Sequence, residues 1–138
     1  MKLNKTPTTR TSISKGYRSG LEERIAQELL EQGVDFSYED LVIKYIKPER
    51  QARYTPDFQI VTQSGKQIIV ETKGRFLTPD RQKMILVKHQ FPSLDIRFVF
   101  NRSKDRIGKK SKTTYGMWCD KHGFPYADVS IPEDWLKE

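Results

Sequence analysis

The stretch 54–73 constrains the fold most, because two β-prone segments flank a short turn. Both segments are rich in β-branched and aromatic side chains, and a Ser-Gly pair between them is typical of a turn. A three-residue turn ending at Gly65 sets a register in which Asp57 lies opposite Glu71, with Cβ atoms within about 5.5 Å. Side chains alternate along a strand, so Lys73 lies on the same face as Glu71. The sequence therefore predicts two carboxylates and one ammonium at one end of a β-hairpin.

The rest of the chain alternates between helical and strand patterns. Ser19 followed by Glu22 is a capping box that predicts the start of a helix, and Gly33 predicts its end. The predicted order is a helix at 19–33, a strand at 36–46, hairpin strands at 54–62 and 67–72, a helix at 78–90 with Thr78 as N-cap, a strand at 95–100, a helix at 115–122 and a final helical turn at 131–135. This order predicts a single α/β domain at 18–138, an α+β mixed sheet flanked by helices, after a disordered basic tail at 1–17.

The net charge of +7 is concentrated in two short patches. Residues 1–18 carry five basic residues and no acid, and residues 101–112 carry six basic residues against one acid. Such patches attract polyanions, nucleic acid first, although basic runs also serve simply as a solubilising surface. The candidate DNA-binding residues are Lys15, Arg18, Lys44, Arg75, Arg102, Lys104, Arg106, Lys109, Lys110 and Lys112.

The charged cluster predicted at the hairpin end has the composition of a metal-dependent hydrolytic site. Asp57 and Glu71 would repel each other unless a cation lies between them, and hard carboxylate oxygens favour Mg²⁺ or Mn²⁺. The backbone carbonyl of Thr72 is a candidate further ligand. Lys73 suits the task of orienting or deprotonating a water and offsetting transition-state charge. The alternative is a hairpin with ordinary surface charges, but Asp is disfavoured in strands. The pattern thus favours a metal-dependent endonuclease.

The other chemistry-bearing residues carry weaker signals. Glu22 belongs to the capping box, and it is also a candidate second-site metal ligand at the helix start. His89 and His122 are expected to be surface or structural residues, and Cys119 is the only cysteine, so no intrachain disulfide forms. No apolar run is long enough to span a bilayer, and no apolar segment of a secretory signal follows the basic N-terminus. We expect a cytoplasmic protein with no membrane partner and no small-molecule cofactor.

Six short motifs together resemble one known family. They are Arg18-Ser19-Gly20-Leu21-Glu22, Tyr54-Thr55-Pro56-Asp57-Phe58, Val70-Glu71-Thr72-Lys73-Gly74, Leu94-Asp95-Ile96-Arg97, Tyr115-Gly116 and Lys121-His122-Gly123. In this order and at similar spacing they resemble the phage endonuclease I family, the Holliday-junction resolvases of short-tailed phages within the PD-(D/E)xK nuclease superfamily. The resemblance covers roughly residues 16–137.

This resemblance implies a restriction-endonuclease-like fold and a segment-swapped homodimer, in which residues 44–53 bridge the two halves. By similarity, Asp57 and Glu71 bind the divalent metal, and Lys73 assists the attacking water. Glu22 of the partner subunit completes each site as a further catalytic residue. The implied substrate is four-way junction or other branched DNA, cut by paired nicks in the cytoplasm of the host cell.

Two alternatives stay open beside junction resolution. One is a PD-(D/E)xK nuclease that acts on ordinary duplex DNA, and the other is a non-catalytic protein that binds DNA junctions. The complete set of Asp57, Glu71 and Lys73 favours catalysis, and the lack of a helix-turn-helix pattern disfavours reading of duplex sequence. Ser37 is one departure from the family pattern, because a family member has an acid at that position.

Overall fold

The computed structural model describes residues 17–47 and 50–138. The elements in chain order are α1 (Gly20–Glu31), β1 (Phe36–Tyr38), β2 (Ile43–Lys47), β3 (Arg50–Tyr54), β4 (Phe58–Val61), β5 (Gln67–Lys73), α2 (Thr78–Gln90), β6 (Ile96–Phe100), α3 (Tyr115–His122), β7 (Tyr126–Asp128) and α4 (Glu133–Leu136). In this part of the chain, the strands form one sheet in the order β1-β4-β5-β6-β7 and a second sheet of β2 and β3. Strands β1, β4 and β5 pair antiparallel, whereas β5, β6 and β7 are parallel. The prediction of a mixed sheet flanked by helices is confirmed.

The main sheet is buried on both faces. On one face, α1 packs its apolar stripe, which includes Ile25 and Leu29, against alternate side chains of the central strands such as Ile60 and Val70. On the other face, α2, α3 and the β2–β3 sheet cover an aromatic-rich cluster that includes Phe98. The alternation along β5 thus sends neighbouring side chains into two different clusters, and the sheet forms the middle layer of the domain.

Both long helices begin through side chains that satisfy free backbone N–H groups. The Ser19 hydroxyl accepts a hydrogen bond from the Glu22 backbone N–H at 3.1 Å, so α1 starts where the sequence predicts. At α2 the predicted N-cap, Thr78, is one residue late. The N-cap is Leu77, whose backbone N–H donates to the Asp80 carboxylate at 3.3 Å. The acid in the first turn therefore satisfies the backbone N–H of the N-cap residue, and the cap bond expected from the Thr78 hydroxyl does not form.

Two predicted strands are broken in the structure, and one strand was not predicted. The predicted strand at 36–46 is broken at Glu39, whose φ of 53° is incompatible with extended backbone, so β1 and β2 are separate strands. The predicted strand at 54–62 consists of the end of β3, a break and then β4. The short β7 was not predicted, because three residues are too few to show a clear alternation.

The segment predicted to bridge two subunits forms the β2–β3 hairpin in this single chain. The two strands pair from Ile43↔Tyr54 to Lys47↔Arg50, and Tyr45 is buried between the hairpin and the rest of the domain. The Gln90 side chain at the end of α2 exchanges hydrogen bonds with both backbone groups of Ile46. The bridging role of residues 44–53 stays a prediction. The predicted tail lies outside the described residues except for its last residue.

Candidate active site

The predicted register brings Asp57 and Glu71 together at one end of the hairpin. Strands β4 and β5 pair as Phe58↔Val70, so Asp57, the residue before β4, lies beside Glu71. The Asp57 backbone N–H donates to Glu71 Oε2 at 2.8 Å. Both side chains are about 95% buried, at 5% and 4% exposure. The local turn and the alternation along the strands are therefore sufficient to place this pair.

Asp57 is held by the residue that follows Glu71. Its Oδ2 atom accepts hydrogen bonds from the Thr72 backbone N–H at 2.9 Å and from the Thr72 hydroxyl at 2.8 Å. Its Oδ1 atom lies 3.8 Å from an Arg18 guanidinium nitrogen, which also forms an ion pair with Glu39 at 2.5 Å. One carboxylate oxygen is therefore fixed by the protein, and the other faces a cation and the cleft.

Glu71 is a buried acid with a strongly perturbed pKa. Burial, and after it the charge of Asp57, raise the pKa of Glu71 from 4.5 to about 8, against the opposing effect of Lys73. Lys73 Nζ lies 4.0 Å from Glu71 Oε1. Burial and the charge of Glu71 likewise hold the pKa of the nearby Tyr54 hydroxyl well above its ordinary value. A carboxylate in this setting is stabilised in its charged form only if further positive charge arrives.

Glu22 reaches the same site from α1. Its side chain is buried, and burial, followed by the charge of Asp57, raises its pKa. The Tyr38 hydroxyl and Arg18 act in the opposite direction. The chain therefore brings Glu22 to its own Asp57, although the two are far apart in sequence. Whether this glutamate reaches the site of a second subunit is a separate prediction.

A cleft of about 560 Å³ opens above these groups. Its wall includes the start of α1, and its lining carries acids (Glu22, Asp57), bases (Arg18, Arg24, Lys73) and the amide residue Asn101. A smaller cavity of about 220 Å³ on the α2 side of Lys73 adjoins Glu71, Asp80 and Lys83. Arg18, Asp57 and Lys73 line both spaces, whereas Glu71 lines the smaller one and not the cleft.

Comparison of the sequence with known proteins identifies the family of this chain. The sequence pattern of the family described as phage endonuclease I matches residues 3–138. The chain belongs to this family. It is 43% identical over 122 residues to "Endonuclease I" of Escherichia phage T7, covering 88% of this chain and 79% of that protein. It is 42% identical over 129 residues to "Endodeoxyribonuclease 1" of Enterobacteria phage T3, covering 94% of this chain and 82% of that protein. The resemblance inferred from the six motifs is confirmed.

The acids at the cleft of this family member fit a divalent cation. Within the described residues, no three or more His, Cys, Asp or Glu side chains are already arranged as a set of metal ligands. However, Mg²⁺ commonly uses only one or two carboxylates and keeps several waters. Asp57 and Glu71 offer two buried carboxylates with hard oxygen donors, and burial together with the charge of Asp57 raises the pKa of Glu71. The donor set therefore suits Mg²⁺ or Mn²⁺ better than a softer metal.

The basic residues proposed to bind DNA occupy different parts of the surface. Arg18 lines the cleft, and Lys44 and Arg75 are exposed elsewhere. Lys15 lies outside the described residues. The bases of the segment between β6 and α3 are all exposed: Arg102, Lys104, Arg106, Lys109, Lys110 and Lys112. Among the described helices, none has the length and apolar composition needed to cross a bilayer.

Three contributions to the site were missed from the sequence. The Thr72 hydroxyl holds Asp57, and the side chains of Arg24 and Asn101 line the cleft. Asn101 directly follows β6, which is parallel to β5, and the carboxyl ends of parallel strands are a common place for ligand contacts. The position of Asn101 directly after a strand could therefore have identified it as a candidate site residue from the sequence. Ser37, the departure from the family pattern, is buried opposite Gln59 and does not line the cleft.

Proposed function

We propose that this family member is a divalent-metal-dependent endodeoxyribonuclease that resolves four-way and other branched DNA. The observation that carries the proposal is the convergence of Asp57, Glu71 and Lys73, which all line the smaller cavity, while Asp57 and Lys73 also line the cleft. Two relatives whose names include endonuclease and endodeoxyribonuclease support DNA as the polymer. The exposed bases of the segment 102–112 supply a surface for backbone phosphates.

Different residues of this chain have different roles in phosphodiester hydrolysis. Asp57 and Glu71, with the Thr72 carbonyl and Glu22 as further candidates, would hold Mg²⁺ or Mn²⁺. When bound, such an ion activates water and polarises the phosphate. Lys73 orients the attacking water and offsets the negative charge that grows on the phosphate. The water oxygen forms a bond to phosphorus, the bond from phosphorus to the leaving sugar oxygen breaks, and that oxygen takes up a proton.

We also propose that the active form is a segment-swapped homodimer with a restriction-endonuclease-like fold. The β2–β3 hairpin pairs residues symmetrically about the point between 48 and 49. An extended segment 43–54 can therefore pair with the same segment of a second chain in an unchanged register. Glu22 precedes this segment, and Asp57 and Glu71 follow it. Exchange would place Glu22 of the partner subunit in each site and give the dimer two sites for paired nicks.

The first experiment compares three substrates in Mg²⁺, Mn²⁺, Ca²⁺ and chelator. We expect a four-way junction to be cut in Mg²⁺ or Mn²⁺ only, and a linear duplex of the same sequence to be cut far more slowly. A mismatched duplex distinguishes junctions from other distortions. If the linear duplex is cut as fast as the junction, the result would instead support the alternative of a nuclease that acts on ordinary duplex DNA. The variant Asp57→Asn should bind the junction without cutting it, and retained cutting would remove Asp57 from the site.

The second experiment tests the exchange by complementation. A heterodimer of one Glu22→Gln chain and one Asp57→Asn chain has, if segments are swapped, one site with both substitutions and one intact site. It should nick a junction once, although neither homodimer cuts. If each chain builds its own site, both sites of the heterodimer are defective and no nick appears. Sedimentation as a monomer at micromolar concentration would also exclude the dimer.

A further inference from the structure

Asp128 lies at the same edge of the sheet as the cleft, but no part of the proposed chemistry uses it. In the parallel part of the sheet, Lys73 pairs with Phe100, and Phe100 pairs with Asp128. Neighbouring strands lie about 4.8 Å apart, so the Asp128 backbone is about 10 Å from that of Lys73. The side chain is therefore close enough to organise the rim of the cleft without belonging to its floor.

The Asp128 carboxylate fixes one residue of the segment that follows β6. Oδ1 accepts a hydrogen bond from the Ser103 backbone N–H at 2.7 Å, and Oδ2 accepts one from the Ser103 hydroxyl at 2.8 Å. Ser103 is 7% exposed, whereas the bases on either side of it are exposed. Two short bonds to one buried residue hold its position much more tightly than a single contact would.

Ser103 is part of the stem of a closed loop. Its carbonyl accepts a hydrogen bond from the Gly116 backbone N–H at 2.9 Å, and the Asp105 carbonyl accepts one from the Tyr115 backbone N–H at 2.9 Å. Further along, the Ile107 backbone N–H donates to the Thr113 carbonyl at 2.8 Å. We call residues 102–112 the basic loop. Because its two ends are joined in this way, fixing Ser103 fixes the stem on which the loop stands.

The basic loop adjoins the cleft and carries an excess of positive charge. Asn101, immediately before the loop, lines the cleft, and its backbone N–H donates to the Lys73 carbonyl at 3.2 Å. Six basic residues lie in the loop against a single acid, Asp105. Because the loop begins one residue after a residue that lines the cleft, it is placed to contact a polyanion longer than the cleft, and the affinity for that polyanion then depends on where the loop holds its charges.

The backbone after Asp128 adds an independent observation. Val129 has a φ of 72°, in the left-handed region that β-branched residues rarely occupy. Its N–H donates to the Phe100 carbonyl at 2.7 Å, which ties this conformation to β6. Rare backbone conformations that the surrounding structure enforces are concentrated at functional sites. Here the strained residue is adjacent to the carboxylate that anchors the basic loop.

We propose that Asp128 is a substrate-positioning residue that anchors the basic loop at the rim of the cleft as a preformed binding surface for the phosphates of DNA. The inference rests on the proposed function, because it takes DNA as the ligand. It assigns Asp128 to binding and not to the hydrolytic step. An acid thereby strengthens the binding of an anion, because both of its oxygens accept hydrogen bonds from Ser103 and its effect reaches the DNA through the position of the loop.

The test measures binding and hydrolysis separately in the full-length protein. Binding of a labelled four-way junction is followed by fluorescence anisotropy in chelator, and cleavage is followed in Mg²⁺ at saturating junction. For Asp128→Ala we expect Kd to rise about tenfold while kcat stays within about twofold. Asp128→Asn keeps an acceptor for Ser103, so its Kd should lie within about threefold of the wild-type value. A folded Asp128→Ala with wild-type Kd would overturn the inference, as would an Asn variant as weak as the Ala variant.

A double-mutant cycle separates positioning from general stability. The background Lys109→Gln, Lys110→Gln and Lys112→Gln removes three of the six bases of the loop, so Asp128→Ala should weaken binding by only about threefold there. A full tenfold effect in that background would contradict the proposal. If Asp128→Ala fails to fold, Ser103→Ala, which removes only the hydroxyl donor, should still raise Kd about threefold, and an unchanged Kd would overturn the inference. Failure of the wild type to cut any DNA would instead refute the proposed function.

Discussion

Replacing Glu71 with Gln should stabilise the metal-free protein while abolishing its activity. The folded protein holds the pKa of Glu71 at about 8, against 4.5 for the free side chain. Between these values the native state keeps a proton that the unfolded state has lost, so the stability of the native state falls as pH rises. The Gln side chain does not titrate, and its oxygen can still accept the hydrogen bond from the Asp57 backbone N–H.

The size of this effect follows from the two pKa values. One pKa unit corresponds to about 1.4 kcal/mol, so ionisable Glu71 lowers the free energy of unfolding by about 3 kcal/mol at pH 7. At pH 5 the same relation gives less than about 1 kcal/mol. Added Mg²⁺ should reduce the difference in the free energy of unfolding between Glu71→Gln and the wild type. The reason is that an ion that binds the native carboxylates stabilises the wild type and not the Gln variant.

Urea unfolding followed by tryptophan fluorescence at pH 5, 6, 7 and 8 in chelator measures the difference directly. At a fixed protein concentration, the free energy of unfolding of Glu71→Gln should exceed that of the wild type by an amount that increases steadily from pH 5 to pH 8. Glu28→Gln, the same change at a half-buried surface position of α1, is the matched control and should show no such trend. The reasoning is refuted if Glu71→Gln is no more stable than the wild type at pH 8, or if its advantage is the same at pH 5.

Three further predictions concern the hydrogen bond from Thr72 to Asp57, the stability of the protein at low pH and its contacts with DNA. Thr72→Val removes the hydroxyl that donates to Asp57 at 2.8 Å, so kcat should fall about tenfold while junction affinity stays unchanged. Thr72→Ser keeps a hydroxyl and should restore kcat. A Val variant as active as the wild type would contradict this role of the hydroxyl. Arg97 lowers the pKa of Glu138 to about 2, so this carboxylate stabilises the fold above about pH 4.5 and loses its effect as pH falls to 2. Thermal melting of Glu138→Gln should therefore be lower than wild type at pH 6 and converge with it near pH 2, and a constant difference would be inconsistent with the ion pair. Junction binding should weaken linearly in log Kd against log salt, and an affinity insensitive to salt would argue against phosphate contacts.

The register of the hairpin could be predicted from the sequence because its causes are local. A three-residue turn and the alternation of side chains suffice to place Asp57 beside Glu71, and the structure confirms that pair. The starts of α1 and α3 were likewise predictable, since a cap is formed within one turn of the helix. The break at Glu39 was not, because that residue turns to meet Arg18 and the Asp57 carbonyl, which are distant in sequence.

The sequence by itself determined the groups of the candidate site and the family: two acids and a lysine at a hairpin end, a basic loop, and motifs that identify the family. Only the tertiary structure decided which distant residues join that hairpin. It brought Glu22 from α1 to the acids, Asn101 to the cleft, and Asp128 to the stem of the basic loop. The physical reason is that side chains within one hairpin are positioned by covalent geometry and strand pairing. Contacts between elements depend instead on how the sheet orders its strands and on which faces the helices bury.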